Sequence, residues 1–124
     1  MKLHLADFAE KKVFTGYGDD HVIINKTRYD KNIIVLPDHI IDNWQVKSIT
    51  QLTCNDFECV LPFKPEIILL GTGDQLYFPD RTIMVHMIKL GIGIEVMDTK
   101  ATCRTYNILA EEGRRVAAAI LINN

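Results

Sequence analysis

Apolar and polar positions change rhythm near residue 50. Up to about Ile49, short β-branched runs alternate with turn residues. VFTGYG (13–18), HVIIN (21–25) and NIIVLP (32–37) read as strands, with GDD (18–20) and the polar segment KTRYDKN (26–32) as turns. A fourth strand is expected through WQVKSI (44–49), where Trp44, Val46 and Ser48 alternate with Gln45, Lys47 and Ile49. Together these runs predict an antiparallel meander with one face against a core.

From about Thr50 the pattern becomes helix, strand, helix, strand, helix, strand. A short helix over 53–60 is announced by Thr53 with Asp56 three residues on, and is expected to stop at Pro62 and Pro65. EIILLG (66–71) is a continuous apolar run of the kind buried on both faces. Asp80 is placed to cap a helix running to Leu90, with Ile83, Met84, Met87, Ile88 and Leu90 at helical spacing and Gly91 as a left-handed stop. GIEVM (93–97) reads as a second buried strand, followed by a helix over 100–112 that ends at Gly113, and then by the strand RVAAAILI (115–122). Strands joined by helices of this length lie parallel with right-handed crossovers. The expectation is therefore an α/β chain forming one domain over 1–124. Residues 1–49 are mainly β, and residues 50–124 form a three-layer βαβαβ-type unit with a central sheet that the meander joins or caps.

Composition excludes several classes. With 48% hydrophobic and 24% charged residues and a net charge of −2, nothing favours nucleic acid or an anionic membrane as a partner. The apolar runs 33–37 and 116–122 fall far short of the ~20 residues that a membrane span needs. The N-terminal stretch MKLHLADFAEKKVF is broken by His4, Asp7 and Glu10, so it lacks a signal-peptide core, and the chain is expected to be cytoplasmic. Cys54, Cys59 and Cys103 show no metal spacing, and His4, His21, His39 and His86 are scattered. Free thiols are expected, with no metal and no cofactor.

In an open parallel sheet, ligands bind beyond the carboxyl ends of strands, near helix N-termini. Two loops qualify, 71–80 and 97–102, and neighbouring strands would open both on one edge. Gly71, Thr72, Gly73 and Asp74 form either a tight turn or a weak phosphate cradle that lacks both GxGxxG spacing and a P-loop lysine. In MDTKATCRTYN (97–107), Asp98 or Thr99 is placed to cap the helix. Helix geometry suggests Ala101, Thr105, Ile108, Leu109 and the stem of Glu112 as the buried stripe, with Cys103, Asn107, Ala110 and Glu111 opposite. Cys103 is open to two readings: a thiol activated by the helix start with Arg104 gripping a small anionic ligand, or a small filler with Arg104 clamped to Glu95 or Asp98. On the second reading Tyr106 and Asn107 pack and tie loops. No histidine lies nearby in sequence to serve as a base. Trp44 reads as core or half-buried and His86 as solvated, while LYF (76–78) either folds back on the core or offers a contact surface.

PEIILLGTGDQLYFP (65–79) and GIGIEVMDTKATCRTYNILAEEGRRVAAAIL (91–121), with their spacing, resemble a family of small single-domain proteins of largely unknown function. That family includes mitochondrial complex I assembly factor 3 and the adipogenesis-associated proteins. The resemblance implies an α/β fold with a β-hammerhead-like N-terminal half and a central mixed sheet flanked by helices. It implies an assembly partner rather than an enzyme, and it brings no assigned catalytic residue. The N-terminal stretch is not expected to be a mitochondrial presequence, so organellar placement is not expected to transfer. The expected function is a non-enzymatic protein-binding or assembly-factor-like module. The alternative is a small-molecule enzyme or ligand sensor with a pocket between the 71–78 and 97–107 loops. The partner and the oligomeric state stay open.

Overall fold

The computed structural model describes residues 10–122, so residues 1–9 of the stretch read for a leader lie outside it. Among the described residues eight strands and two α-helices follow the order β1 (Phe14–Gly18), β2 (His21–Ile24), β3 (Thr27–Tyr29), β4 (Ile33–Leu36), β5 (His39–Ile41), β6 (Ile67–Gly71), α1 (Arg81–Lys89), β7 (Gly93–Met97), α2 (Thr99–Glu111) and β8 (Val116–Ile120). Two 3-10 stretches, Ile49–Gln51 and Cys54–Phe63, lie between β5 and β6. The strands form an antiparallel sheet β1-β2-β3 and a mixed sheet β5-β4-β8-β6-β7. β6 runs parallel to β7 and β8, while β4 runs antiparallel to both β8 and β5. The first-half strands thus divide: β4 and β5 extend the central sheet, and the β1–β3 sheet covers part of it.

Alternation along the central strands creates two cores. Ile34, Leu36, Ile68, Leu70, Ala117 and Ala119 face one side, joined by Trp44, Leu52, Phe57, Val60, Ile83 and Met87. Ile33, Val35, Leu69, Val116, Ala118 and Ile120 face the other, joined by Phe14, Val22, Ile24, Cys103, Tyr106 and Ala110. α1 and the longer 3-10 stretch therefore cover one face, and α2 with the β1–β3 sheet covers the other. Helices on opposite faces follow from the topology, because the chain leaves β6 toward β7 on one side and returns past β6 to β8.

Several local expectations change. The turn expected over 26–32 contracts to Asn25 and Lys26, with φ of 48° and 71°, and Thr27–Tyr29 pairs as a strand. WQVKSI forms no strand. Asn32 holds that segment instead: Trp44 N donates to Asn32 O at 2.7 Å and Asn32 Nδ2 donates to Val46 O at 2.6 Å. Trp44 is buried at 5% exposure, and its Nε1 donates to Asp56 O at 2.8 Å. A further strand, His39–Ile41, pairs with β4 across the Pro37-Asp38 turn.

The Thr53–Asp56 capping box forms, but the segment it opens is 3-10 and runs through Pro62. It ends at Lys64, whose φ is 52° and whose N–H bonds Leu61 O at 2.9 Å. β7 is an edge strand, with Gly93 and Glu95 exposed, rather than one buried on both faces. No helix among the described residues is long and apolar enough to cross a membrane.

Candidate functional site

The two loops proposed from sequence do meet. β6 and β7 are neighbours, and three bonds stitch their carboxyl ends together. Thr72 N donates to Met97 O at 3.0 Å, Thr99 N to Gly73 O at 2.8 Å, and Gly73 N to Thr99 Oγ1 at 3.0 Å. The Thr72 hydroxyl donates to Gln75 O at 2.6 Å and accepts from Tyr77 N at 3.2 Å. The amides of Thr72 and Gly73 are therefore consumed within the protein, as a tight turn requires and a phosphate cradle does not. Gly73 takes a left-handed φ of 94°. Gly71 serves close packing: a Cβ there would sit 3.0 Å from both Thr102 Oγ1 and Ile120 Cδ1.

Asp98 caps α2, its side chain accepting from Ala101 N at 2.8 Å. A cavity of about 360 Å³ opens beside this cap. Gly73, Asp74, Asp98, Thr99 and Lys100 line one side, and the β1–β2 hairpin supplies Tyr17, Gly18, Asp19 and His21 on the other, over Leu121 and Ile122. Nothing in the sequence linked the hairpin to this edge, because the link is made by packing across about eighty residues. Next to the cavity, His21 Nδ1 lies 2.8 Å from Asp20 Oδ1, and this hydrogen bond, with Arg28 nearby, holds the Asp20 carboxyl below its usual range.

Cys103, Arg104, Tyr106 and Asn107 lie along α2 and do not line the cavity. The buried face of α2 comprises Thr99, Thr102, Cys103, Tyr106 and Ala110, whereas Ile108 is 58% exposed. The expected stripe is centred about a third of a turn away. Cys103 is 1% exposed, and burial pushes its thiol up to about 12, opposite in direction to an activated nucleophile. Arg104 is exposed and joins no ion pair among the described residues, with Glu95, Asp98 or any other acid.

Tyr106 and Asn107 anchor the start of β1. The Tyr106 hydroxyl donates to Lys12 O at 2.7 Å, and its ring meets Phe14 edge-on at 5.2 Å between centroids. Burial, reinforced by the Asp38 carboxylate, pushes the Tyr106 phenol above its ordinary value. Asn107 bonds both main-chain groups of Phe14.

Cations gather at the other end of the sheet, around a cavity of about 470 Å³ near Lys11, Lys12, Arg114 and Arg115. Most of them are engaged within the protein. Arg114 Nε lies 2.9 Å from Glu66 Oε1, which lowers the Glu66 pKa, Arg115 Nε donates to Lys64 O, and Lys11 Nζ to Ala110 O. Among the described residues no cluster of three or more His, Cys, Asp or Glu is placed to hold a metal ion.

Large apolar side chains stand exposed beside the first loop. Leu76, Tyr77 and Phe78 are 50%, 46% and 72% exposed. Val85 and Ile88 on α1, and Leu90 just past its end, are also exposed. The LYF segment thus does not fold back onto the core.

Sequence and structural comparisons agree with this architecture. A solution structure of a Xanthomonas campestris protein superimposes with a TM-score of 0.84 at 35% identity, covering 93% of this chain and 87% of that one. The human NADH dehydrogenase [ubiquinone] 1 alpha subcomplex assembly factor 3 is 31% identical over 115 residues, 91% of this chain. The match covers only 62% of that relative's length. A Francisella tularensis protein named 13 kDa major membrane protein is 28% identical over 109 residues, covering 87% of this chain and 89% of that relative. Residues 14–121 match the family model described as protein of unknown function (DUF498/DUF598), and the chain, with the assembly factor 3 proteins among its relatives, belongs to that family.

Proposed function

We propose that this chain is a non-enzymatic protein-binding module of the assembly-factor type. One observation carries the reading: Leu76, Tyr77 and Phe78 stand exposed in succession, ahead of exposed Val85 and Ile88 on α1 and Leu90 just after it. Exposed apolar residues scattered singly are ordinary, whereas consecutive ones beside an apolar helix face favour a contact surface. The burial of Cys103 adds support, since it takes the thiol in the first turns of α2 out of reach of substrate. The name of the human relative points the same way, although that protein's role comes to this chain only as part of the proposal. The test is capture of cross-linked partners from the native host by the wild-type chain and by a Leu76→Ser/Phe78→Ser variant. A partner lost in the variant is the expected result. Capture of nothing, with respiratory complexes unaltered on deletion, sinks the reading.

A second reading, a ligand sensor or small-molecule enzyme, draws support from the 360 Å³ cavity at the joined loop edge. Small anions screened by melting shift test it through Lys100→Ala. A shift abolished by the substitution supports a ligand site there, and equal shifts in both proteins count against it.

A further inference from the structure

The β7 edge of the central sheet has an apolar helix flank beside it. Among the described residues β7 pairs only with β6. Gly93 and Met97 turn their main-chain groups toward β6: Gly93 N donates to Glu66 O at 3.0 Å, and Met97 O accepts from Thr72 N at 3.0 Å. Main-chain direction alternates along a strand, so Ile94 and Val96 aim N–H and C=O outward. Glu95, between them, is exposed on the α2 face of the sheet, level with Leu69 on β6.

On the opposite face α1 packs over β7 through Ile83 and Met87. Cys54 Sγ, 3.8 Å from Thr82 O, marks the flank of α1 that meets the 3-10 stretch. At 100° per residue, Met84 and Ile88 fall on the other flank, toward the open edge. Ile88 is 68% exposed and Val85 47%.

We propose that β7 receives an extended segment of a partner protein as a further strand. Its apolar side chains lie against the Met84–Ile88 flank, and a lysine or arginine stands opposite Glu95. This rests on the protein-binding reading above and names the partner's chemistry. An unpaired edge selects an extended backbone, because only that satisfies the outward groups of Ile94 and Val96 in register. Charge selects against self-pairing: a two-fold antiparallel pair centred on β7 would set Glu95 against its own copy, whereas a cation there is favourable.

Two synthetic ten-residue peptides, one alternating valine with lysine and one valine with glutamate, titrated onto the isotope-labelled full chain, test this. The lysine peptide is expected to shift the Ile94 and Val96 amides and slow their exchange. Glu95→Lys, at an exposed position, is expected to change the preference between the peptides by about two- to fivefold toward the glutamate peptide. Val96→Pro, which removes an outward N–H but no bond to β6, is expected to abolish binding. Binding that leaves the β7 amides unmoved overturns the proposal, as does slow exchange of Ile94 and Val96 before any peptide is added. Protection that grows with protein concentration alone makes a second copy the occupant and overturns it too. A host partner retained equally by wild type, Glu95→Lys and Val96→Pro refutes the edge and leaves the protein-binding reading intact, whereas no partner at all refutes both.

Discussion

Asn107 holds Phe14 by both of its main-chain groups: its Oδ1 accepts from Phe14 N at 2.9 Å and its Nδ2 donates to Phe14 O at 2.8 Å. A single side chain on α2 thereby does for β1 what a neighbouring strand would do, and docks the β1–β3 sheet onto the helix. Asn107→Ala is expected to cost about 1–3 kcal/mol, because two partly buried backbone groups lose their partners. Denaturant unfolding measures the loss, and hydrogen exchange should place it in β1 and β2. Unchanged protection there would mean that the ring of Tyr106 and the apolar contacts carry the docking alone.

Alkaline pH should weaken the fold through the same helix. Cys103 has a folded pKa of about 12 against an ordinary value of 9.0, and the Tyr106 phenol is also raised. Above pH 9 the unfolded thiol loses its proton while the folded one keeps it, so the folded state binds more protons and stability falls as pH rises. Below pH 9 this contribution is fully present. The loss should approach about 1.4 kcal/mol per pH unit for each group so held. Comparing unfolding free energies at pH 8 and pH 10.5, Cys103→Ala should show a shallower decline than wild type. Identical slopes would exclude a protonated, buried Cys103.

Thiol labelling should divide the cysteines by burial. Cys59 is exposed and Cys54 partly so, while Cys103 is buried. Under native conditions alkylation is expected at Cys54 and Cys59, with burial raising Cys59 and slowing it somewhat. Cys103 should react only on the timescale of opening, and its rate should rise with denaturant. Native-state labelling of Cys103 as fast as Cys54 would revive the activated-thiol reading.

The exposed loop should be thermodynamically silent. Phe78 is 72% exposed, so Phe78→Ser is expected to change stability by no more than about 0.5 kcal/mol. A larger loss would show that Phe78 supports the fold, and reduced partner capture by that variant could then no longer be assigned to a contact surface.

Local features of the second half were legible in the chain. Asp80 and Asp98 cap where acids ahead of apolar helices are expected to cap, and Gly91 and Gly113 take left-handed φ of 75° and 82° just past the helices they end. These signals act within one turn and need no tertiary partner. The face of α2 was not legible in the same way. Ile108 is exposed and Leu109 only partly buried, although they are its bulkiest aliphatic side chains, while Thr102, Cys103, Tyr106 and Ala110 face inward. Small residues let the helix lie close to the sheet, and one phenol fills the gap while bonding Lys12 O. Hydrophobicity ranks side chains one by one and cannot register a choice made by the shape of the opposing surface. Trp44 to Ile49 alternates like a strand, but the amide of Asn32 holds the Val46 carbonyl, so the alternation was real and the pairing was not.

By itself the sequence determined the element types from residue 66 onward, their caps, and the meeting of the loops after β6 and β7. Each of these follows from short-range periodicity, or from the rule that helix-linked parallel strands lie side by side. Only the tertiary structure decided that Tyr106 and Asn107 of α2 clamp the start of β1 rather than line the cavity, that the β1–β2 hairpin walls the cavity, and that β7 ends its sheet. Those outcomes depend on contacts between segments tens of residues apart, whose pairing is set by the packing of the whole.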